Sequence, residues 1–141
     1  MNYNLDIFGY YRDLSRTKFT HSAGIYFVYR GRFIPHLKTV TLMELLYVGE
    51  TDDLYVCNNE HVKRQEFLSK LQDGEELFYS YAITDDLSMK YRKILEAALI
   101  YELRPSLNGK DEKSFQYEKT TIEIRGDRHA YIPSHIVAPS Y

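Results

Sequence analysis

The sequence lacks several features that would mark particular classes of protein. It holds one cysteine, so no disulfide can form within the chain, as is typical of proteins from a reducing cytoplasm. No apolar run reaches the ~18 residues that a membrane-spanning helix needs, and the residues after Met1 do not form a signal peptide. We therefore expect a cytoplasmic protein that makes no contact with membranes.

The charge balance excludes a basic field over the whole chain. The chain contains eighteen lysines and arginines and twenty aspartates and glutamates, which gives a net charge of −2. Any contact with nucleic acid phosphates would therefore depend on a local patch. The 44% hydrophobic content argues against disorder, and 141 residues are enough for one domain but not for two ordinary ones. We expect residues 1–141 to form a single domain; the sequence indicates no oligomeric state.

The pattern of apolar residues predicts a fold of the α/β class, of the α+β type, in which helices flank a small, mainly antiparallel central sheet. Residues 24–30, 43–48 and 77–83 are rich in β-branched and aromatic side chains, which favour strands. Helical spacing or capping signals indicate three helices, at residues 5–16, at about 53–72, and from about 85 to Pro105. A C-terminal hairpin is expected from strands at 120–125 and 129–132 around a Gly126-Asp127 turn.

Two short motifs and one carboxylate are candidates for chemistry. Gly24-Ile25-Tyr26 opens one predicted strand, and Tyr47-Val48-Gly49 closes another. Glu96 lies inside the apolar helical run 94–101, where an unpaired carboxylate would be costly to bury. Two strand tyrosines and a helix carboxylate could meet in one compact site. The alternative is that the tyrosines are ordinary sheet residues and that Glu96 pairs with Arg92, one turn earlier.

This combination resembles the GIY-YIG nuclease superfamily, whose two tyrosine motifs lie on neighbouring strands. Four further residues occur in the order and at the spacing of that family's pattern: His61, Glu96, Pro105 and Asn108. The resemblance covers residues 24–108. It implies a GIY-YIG-like core at residues 22–108, followed by a C-terminal hairpin and tail at 109–141.

The resemblance implies a metal-dependent endonuclease, a phosphodiester hydrolase that acts on nucleic acid, with DNA favoured over RNA. Such an enzyme must orient a water molecule, remove its proton and neutralise charge on the phosphate. By the resemblance, Tyr26 and Tyr47 position and activate the water, and His61 accepts or orients a proton. Glu96 holds Mg²⁺ or Mn²⁺. Asn108 shapes the site, holds the chain after the helix, or contacts the nucleic acid. Taken alone, His61 is equally compatible with an ordinary hydrogen-bonding role on a helix.

Cys57 occupies the helix position at which the family carries an arginine. A charge-stabilising arginine is worth ~10³–10⁵ in the rate of phosphoryl transfer, and cysteine supplies no positive charge. Arg64 lies on roughly the same face of the predicted helix, but ~10 Å of helix rise separates it from Cys57. The chain is thus a slow nuclease, an inactive descendant that still binds, or a sequence altered at this position. The sequence does not distinguish these cases.

Cys57 and the nearby basic residues allow other interpretations. Cys57 and His61 are one turn apart and could form a nucleophilic pair, but no third orienting residue is evident, so we favour a small, half-buried cysteine. Two ligands are also too few for zinc. Lys63 and Arg64 are candidate nucleic-acid contacts, or simply solvated helix charges. The alternatives to an enzyme are a catalytically inactive nucleic-acid-binding module and a protein-interaction domain on the tyrosine-rich surface.

Overall fold

Strands supply most of the regular structure of this chain. The computed structural model describes residues 1–109, 115–128 and 131–139. In chain order its elements are β1 (Asn2–Arg12), a 3₁₀ helix (Asp13–Lys18), β2 (Gly24–Ile34), β3 (Thr39–Thr51), α1 (Leu54–Asn59), α2 (Arg64–Leu68), β4 (Glu76–Ile83), α3 (Met89–Leu103), β5 (Thr120–Gly126) and β6 (His135–Ala138).

The six strands form one mixed sheet in the order β3-β2-β4-β1-β5-β6. Strands β1 and β5 are parallel, and the other neighbours are antiparallel. With 41% of the described residues in strands and 24% in helices, the protein is mostly β, and its sheet curls into a half-barrel. The predicted fold class, a small and mainly antiparallel sheet flanked by helices, is therefore wrong.

The main cause of this error is the N-terminal segment, because residues 5–16 begin as a strand and not as a helix. Tyr3, Leu5 and Ile7 are buried at every second position, which is the period of a half-buried strand. Leu14, which the helical pattern required on the apolar face, is 72% exposed. The partner of β1 on this side is β5, more than a hundred residues later. Local periodicity carries no information about such a distant parallel pairing.

The strands predicted at 24–30, 43–48 and 77–83 are confirmed, although β2 and β3 extend further. Side chains of β4 alternate between two hydrophobic clusters on opposite faces of the sheet. Phe78 packs in the cluster that includes α3, and Leu77 packs in the cluster that includes Leu54 of α1 and Phe67 of α2. The helices α1 and α2 therefore lie across the sheet from α3.

The single helix predicted at 53–72 is broken after Asn59. Asn58 and Asn59 donate their side-chain N–H groups to carbonyls one turn earlier, at 2.8 Å each. Such bonds compete with the main-chain ladder of a helix. The backbone N–H of Lys63 donates to the Nδ1 atom of His61 at 3.0 Å, which stabilises the non-helical turn. Residues on the two sides of the break therefore do not share a helix face.

The second strand of the C-terminal hairpin lies later than predicted. Strand β5 pairs antiparallel with β6 at His135–Ala138, and Tyr131 and Ile132 lie in a turn before it. Pro133 explains the difference, since proline has no N–H to give to a sheet and interrupts a strand. Two residues of the predicted strand, 129 and 130, lie outside the described residues.

Candidate active site

Tyr26 reaches the site because the neighbouring strand carries a glycine. Tyr26 on β2 is paired with Gly49 on β3, and its phenol lies where a Cβ atom at Gly49 would have to be. A larger residue at this position would displace the Tyr26 ring. The ring of Tyr47 lies 6.1 Å from that of Tyr26, between centroids. The two tyrosine motifs thus work together: one supplies the phenol and the other supplies the space for it.

His61 holds the Tyr26 hydroxyl through a short hydrogen bond. The Nε2 atom of His61 lies 2.6 Å from the Tyr26 oxygen, and its Nδ1 atom accepts from the Lys63 N–H. Because Nδ1 is an acceptor, the proton of the neutral ring resides on Nε2, which therefore donates to Tyr26. Burial, together with the charge of Lys63, lowers the pKa of His61. The ring is thus a neutral donor that orients the phenol.

Both tyrosines are held in their protonated form. Burial is the main cause that raises the pKa of Tyr26, and the Cys57 sulfur, Tyr47 and Glu96 raise it further. Burial also raises the pKa of Tyr47, followed by the charge of Glu96. A phenolate in this site therefore requires a positive charge close to the tyrosine oxygens.

These side chains line one open cavity of about 300 Å³. It brings together four of the predicted site residues: Tyr26, Tyr47, Cys57 and His61. Val56 and Val62, the latter 95% exposed, contribute an apolar rim, and Glu60 completes the lining. A half-buried Cys57 lies in the wall, so this position contributes a thiol and no guanidinium to the cavity. The described lining contains no arginine.

Glu96 lies beside the cavity and is not among the described residues that line it. Its half-buried carboxylate accepts the backbone N–H of Glu50 at 2.8 Å, which places it next to Gly49, the strand partner of Tyr26. Its charge contributes to the raised pKa of both tyrosines. Arg92, the helix partner that the sequence offers to Glu96, instead bonds to Glu50 at 3.2 Å and to Asp52.

The described part of the chain holds no group of three or more His, Cys, Asp or Glu side chains arranged for a metal ion. The chemistry of Mg²⁺ does not require one. This ion is commonly bound by one or two carboxylates while it keeps several waters and contacts the phosphates of a substrate. Glu96, half-buried and near both tyrosines, fits the part of a single carboxylate ligand. Its role as a metal ligand stays a prediction.

Arg64 follows the break between α1 and α2, and it is engaged with Asp13. Its guanidinium makes two bonds to Asp13, at 2.8 and 2.7 Å, and the Tyr79 hydroxyl donates to the same carboxylate at 2.9 Å. The described residues that line the cavity do not include Arg64. No pattern in the sequence indicates Asp13 as the partner of Arg64, because fifty-one residues separate the two and only the tertiary fold brings them together.

Asn108 is held by the edge strand of the sheet. Its side-chain oxygen accepts the Val48 N–H and its side-chain N–H donates to the Val48 carbonyl, both at 2.7 Å. The backbone N–H of Leu107 donates to the Leu46 carbonyl at 2.8 Å. These bonds satisfy the open edge of β3 beside Tyr47, so Asn108 holds the chain that follows α3 against this strand. A contact between Asn108 and nucleic acid stays a prediction.

The partial burial of His61 predicts a pH dependence of stability. Since the folded chain lowers the pKa of His61 below its ordinary value of 6.5, the unfolded chain binds more protons over the interval between the two values. The free energy of unfolding should then fall as the pH drops below about 6.5, by up to ~1.4 kcal/mol per pH unit. His61→Gln, whose amide can replace both ring bonds, should weaken this dependence. Urea unfolding at several pH values measures it, and identical pH profiles for the two chains would contradict it.

Comparisons with protein-family models, with curated proteins and with solved structures found no match for this chain. Among the described residues, no helix combines the length and the apolar character needed to cross a membrane.

Proposed function

We propose that this chain is a metal-dependent, nuclease-type phosphodiesterase of the GIY-YIG kind, which acts on DNA in preference to RNA and is slowed by Cys57. The observation that carries the proposal is the 2.6 Å bond between the Tyr26 oxygen and His61 Nε2, made in a cavity that also holds Tyr47 and Cys57. These are the residue types and spacing of the family motifs. The single cysteine supports the further proposal that the chain works in the cytoplasm.

Each residue has a role that follows from its contacts. His61 donates its Nε2 proton to the Tyr26 oxygen, so the phenol's own O–H is free to point toward the cavity. Tyr26 and Tyr47 then orient the attacking water against the phosphodiester. Glu96 would hold Mg²⁺, whose positive charge would stabilise the phosphate oxygens and lower the pKa of the attacking water, so that this water could release its proton to solvent. Cys57 adds no charge, so this chain stabilises the developing negative charge poorly.

A second candidate function is a nucleic-acid-binding module without catalysis. The observation that favours it is electrostatic: burial and neighbouring groups raise the pKa of Tyr26 and Tyr47. The described cavity lining supplies no guanidinium to oppose this. Such a site could receive a phosphodiester and fail to activate water. Measured cleavage separates the two candidates, because they share the cavity and differ in turnover.

Replacing Glu96 tests the metal part of the proposal. Mg²⁺ or Mn²⁺ should raise the melting temperature of the native chain, because a ligand that binds the folded state stabilises it. Glu96→Gln should abolish this shift, since it removes the charge while its amide oxygen can still accept the Glu50 N–H. Thermal melts with and without metal measure the effect, with cleavage of labelled DNA and RNA followed in parallel.

Glu60→Gln is the matched control, because Glu60 is an exposed carboxylate on the cavity rim. It should keep the metal-induced shift. Equal shifts in the native chain and in Glu96→Gln would remove Glu96 from the metal site. If only Glu60→Gln lost the metal-induced shift, the metal ligand would be Glu60 on the cavity rim and not Glu96.

A further inference from the structure

A second cavity adjoins the tyrosine–histidine cavity through Lys63. The Lys63 ammonium lies 5.2 Å from the centre of the Tyr47 ring, and Tyr47 lines the first cavity. Lys63 itself lines a cavity of about 340 Å³, together with Glu66, Lys70, Ser106, Leu107 and Gly109. The two cavities therefore meet at the Lys63–Tyr47 contact.

The lysines of the second cavity are available for an anion. Within the described residues, neither Lys63 nor Lys70 has a carboxylate within ion-pair distance. The Lys63 ammonium makes one long contact, 3.5 Å, to the Leu107 carbonyl. Glu66 also lines the cavity, so the three charged side chains of its lining carry a net charge of +1. Glu44 lies next to this cavity, hydrogen-bonded to Ser106 and within electrostatic reach of Lys70, and it is already paired with Arg30 at 2.8 Å. Arg64 differs, because Asp13 already neutralises it.

We propose that this second cavity binds the phosphodiester that flanks the reacting one on the same nucleic acid strand. The proposal rests on the proposed function, because it takes the reacting phosphodiester to lie in the tyrosine–histidine cavity. The ammonium groups of Lys63 and Lys70 bind the flanking phosphate oxygens, and the exposed Ser106 lies beside them. Such contacts fix the register of a strand and read no sequence. The backbone N–H of Lys63 also holds His61, so one residue joins the strand to the site.

The test is the salt dependence of binding to single-stranded and duplex DNA. Lys63→Gln and Lys70→Gln should each reduce the slope of log affinity against log salt by about 0.7 on single strands and about 0.9 on duplexes. Lys38→Gln is the control, because Lys38 is an exposed lysine in the turn between β2 and β3, at the far end of both strands. It should keep the native slope. Thermal melts of all three variants establish that they fold.

A set of oligonucleotides, each with one neutral methylphosphonate, tests the position of the contact. At one position of the oligonucleotide, the methylphosphonate should weaken binding by the native chain. The same methylphosphonate should have little effect on binding by the Lys63→Gln, Lys70→Gln double variant, because the two ammonium groups that contact this phosphate are already absent. The subsite would be overturned if every methylphosphonate weakened binding by the double variant as much as it weakens binding by the native chain. Unchanged salt slopes in both single variants would also overturn it.

Cleavage measured in the same preparations separates this proposal from the proposed function. If Cys57→Arg cleaves DNA while the lysine variants keep native slopes, the nuclease proposal stands and the subsite is wrong. If the slopes fall while no chain cleaves, the subsite stands on a binding module and the nuclease proposal is wrong. Absence of DNA binding by the native chain at low salt would overturn the subsite, and with it the proposal that this chain acts on nucleic acid.

Discussion

Replacing Cys57 by arginine should raise metal-dependent cleavage of DNA by about 10³-fold or more, the range associated with a charge-stabilising arginine. Cys57 lies in the wall of the cavity and close enough to Tyr26 to raise the pKa of its phenol. A guanidinium in its place would bind phosphate oxygens through two donors. It would also lower the pKa of Tyr26, because a nearby positive charge favours the phenolate. Rates on a labelled duplex, with and without Mg²⁺, measure the gain.

Three variants make this result interpretable. Cys57→Met adds bulk without charge and should not raise the rate. Tyr26→Phe in the Cys57→Arg background should abolish the gain, because the phenol oxygen that His61 orients is lost. Cleavage by the native chain at the rate of Cys57→Arg would show that another group already supplies the charge. If neither chain cleaves while both bind DNA, the binding-module function is the correct one.

The close grouping of the cavity residues could be predicted from sequence because short-range geometry governs it. Tyr26 and Tyr47 lie on strands joined by a short turn, so their pairing follows from the hairpin register. Cys57 and His61 lie within fifteen residues of Tyr47, and both face the same cavity. The bonds that determine their chemistry were not visible in the sequence. The tautomer of His61, for example, depends on the Lys63 N–H in a turn that replaced the expected helix.

The errors in the predicted fold arise from interactions between distant parts of the chain. The spacing of Leu5, Phe8 and Leu14 matches a helix, but the parallel pairing of β1 with β5 makes this segment a strand. In this strand Leu5 and Ile7 are buried at alternate positions. The same segment thus fits a period of two, typical of a strand, as well as the helical period. The break after Asn59 has the opposite origin. It follows from local side-chain bonds of Asn58 and Asn59. Helix propensity summed over residues 53–72 does not detect them, because two residues change the sum little.

Replacing Arg64 should also have a large effect. It tests whether this guanidinium stabilises the fold or binds nucleic acid. Arg64→Met should lower the free energy of unfolding by about 2 kcal/mol, a value between those of exposed and fully buried ion pairs. The reason is that Asp13, with a side chain 24% exposed, loses both bonds from Arg64 and keeps its charge, with the Arg16 guanidinium at 3.1 Å and the Tyr79 hydroxyl as its remaining partners. Urea unfolding of the native and variant chains measures the difference.

The double variant Asp13→Asn, Arg64→Met isolates the interaction. Because it removes both charges, it should be less destabilised than the sum of the two single variants, as expected for residues in direct contact. Arg64→Met should also leave the salt slope of DNA binding unchanged, whereas Lys63→Gln reduces it, although the two residues are adjacent in sequence. Stability equal to that of the native chain, combined with a reduced salt slope, would place Arg64 on the phosphates and make the Asp13 ion pair incidental.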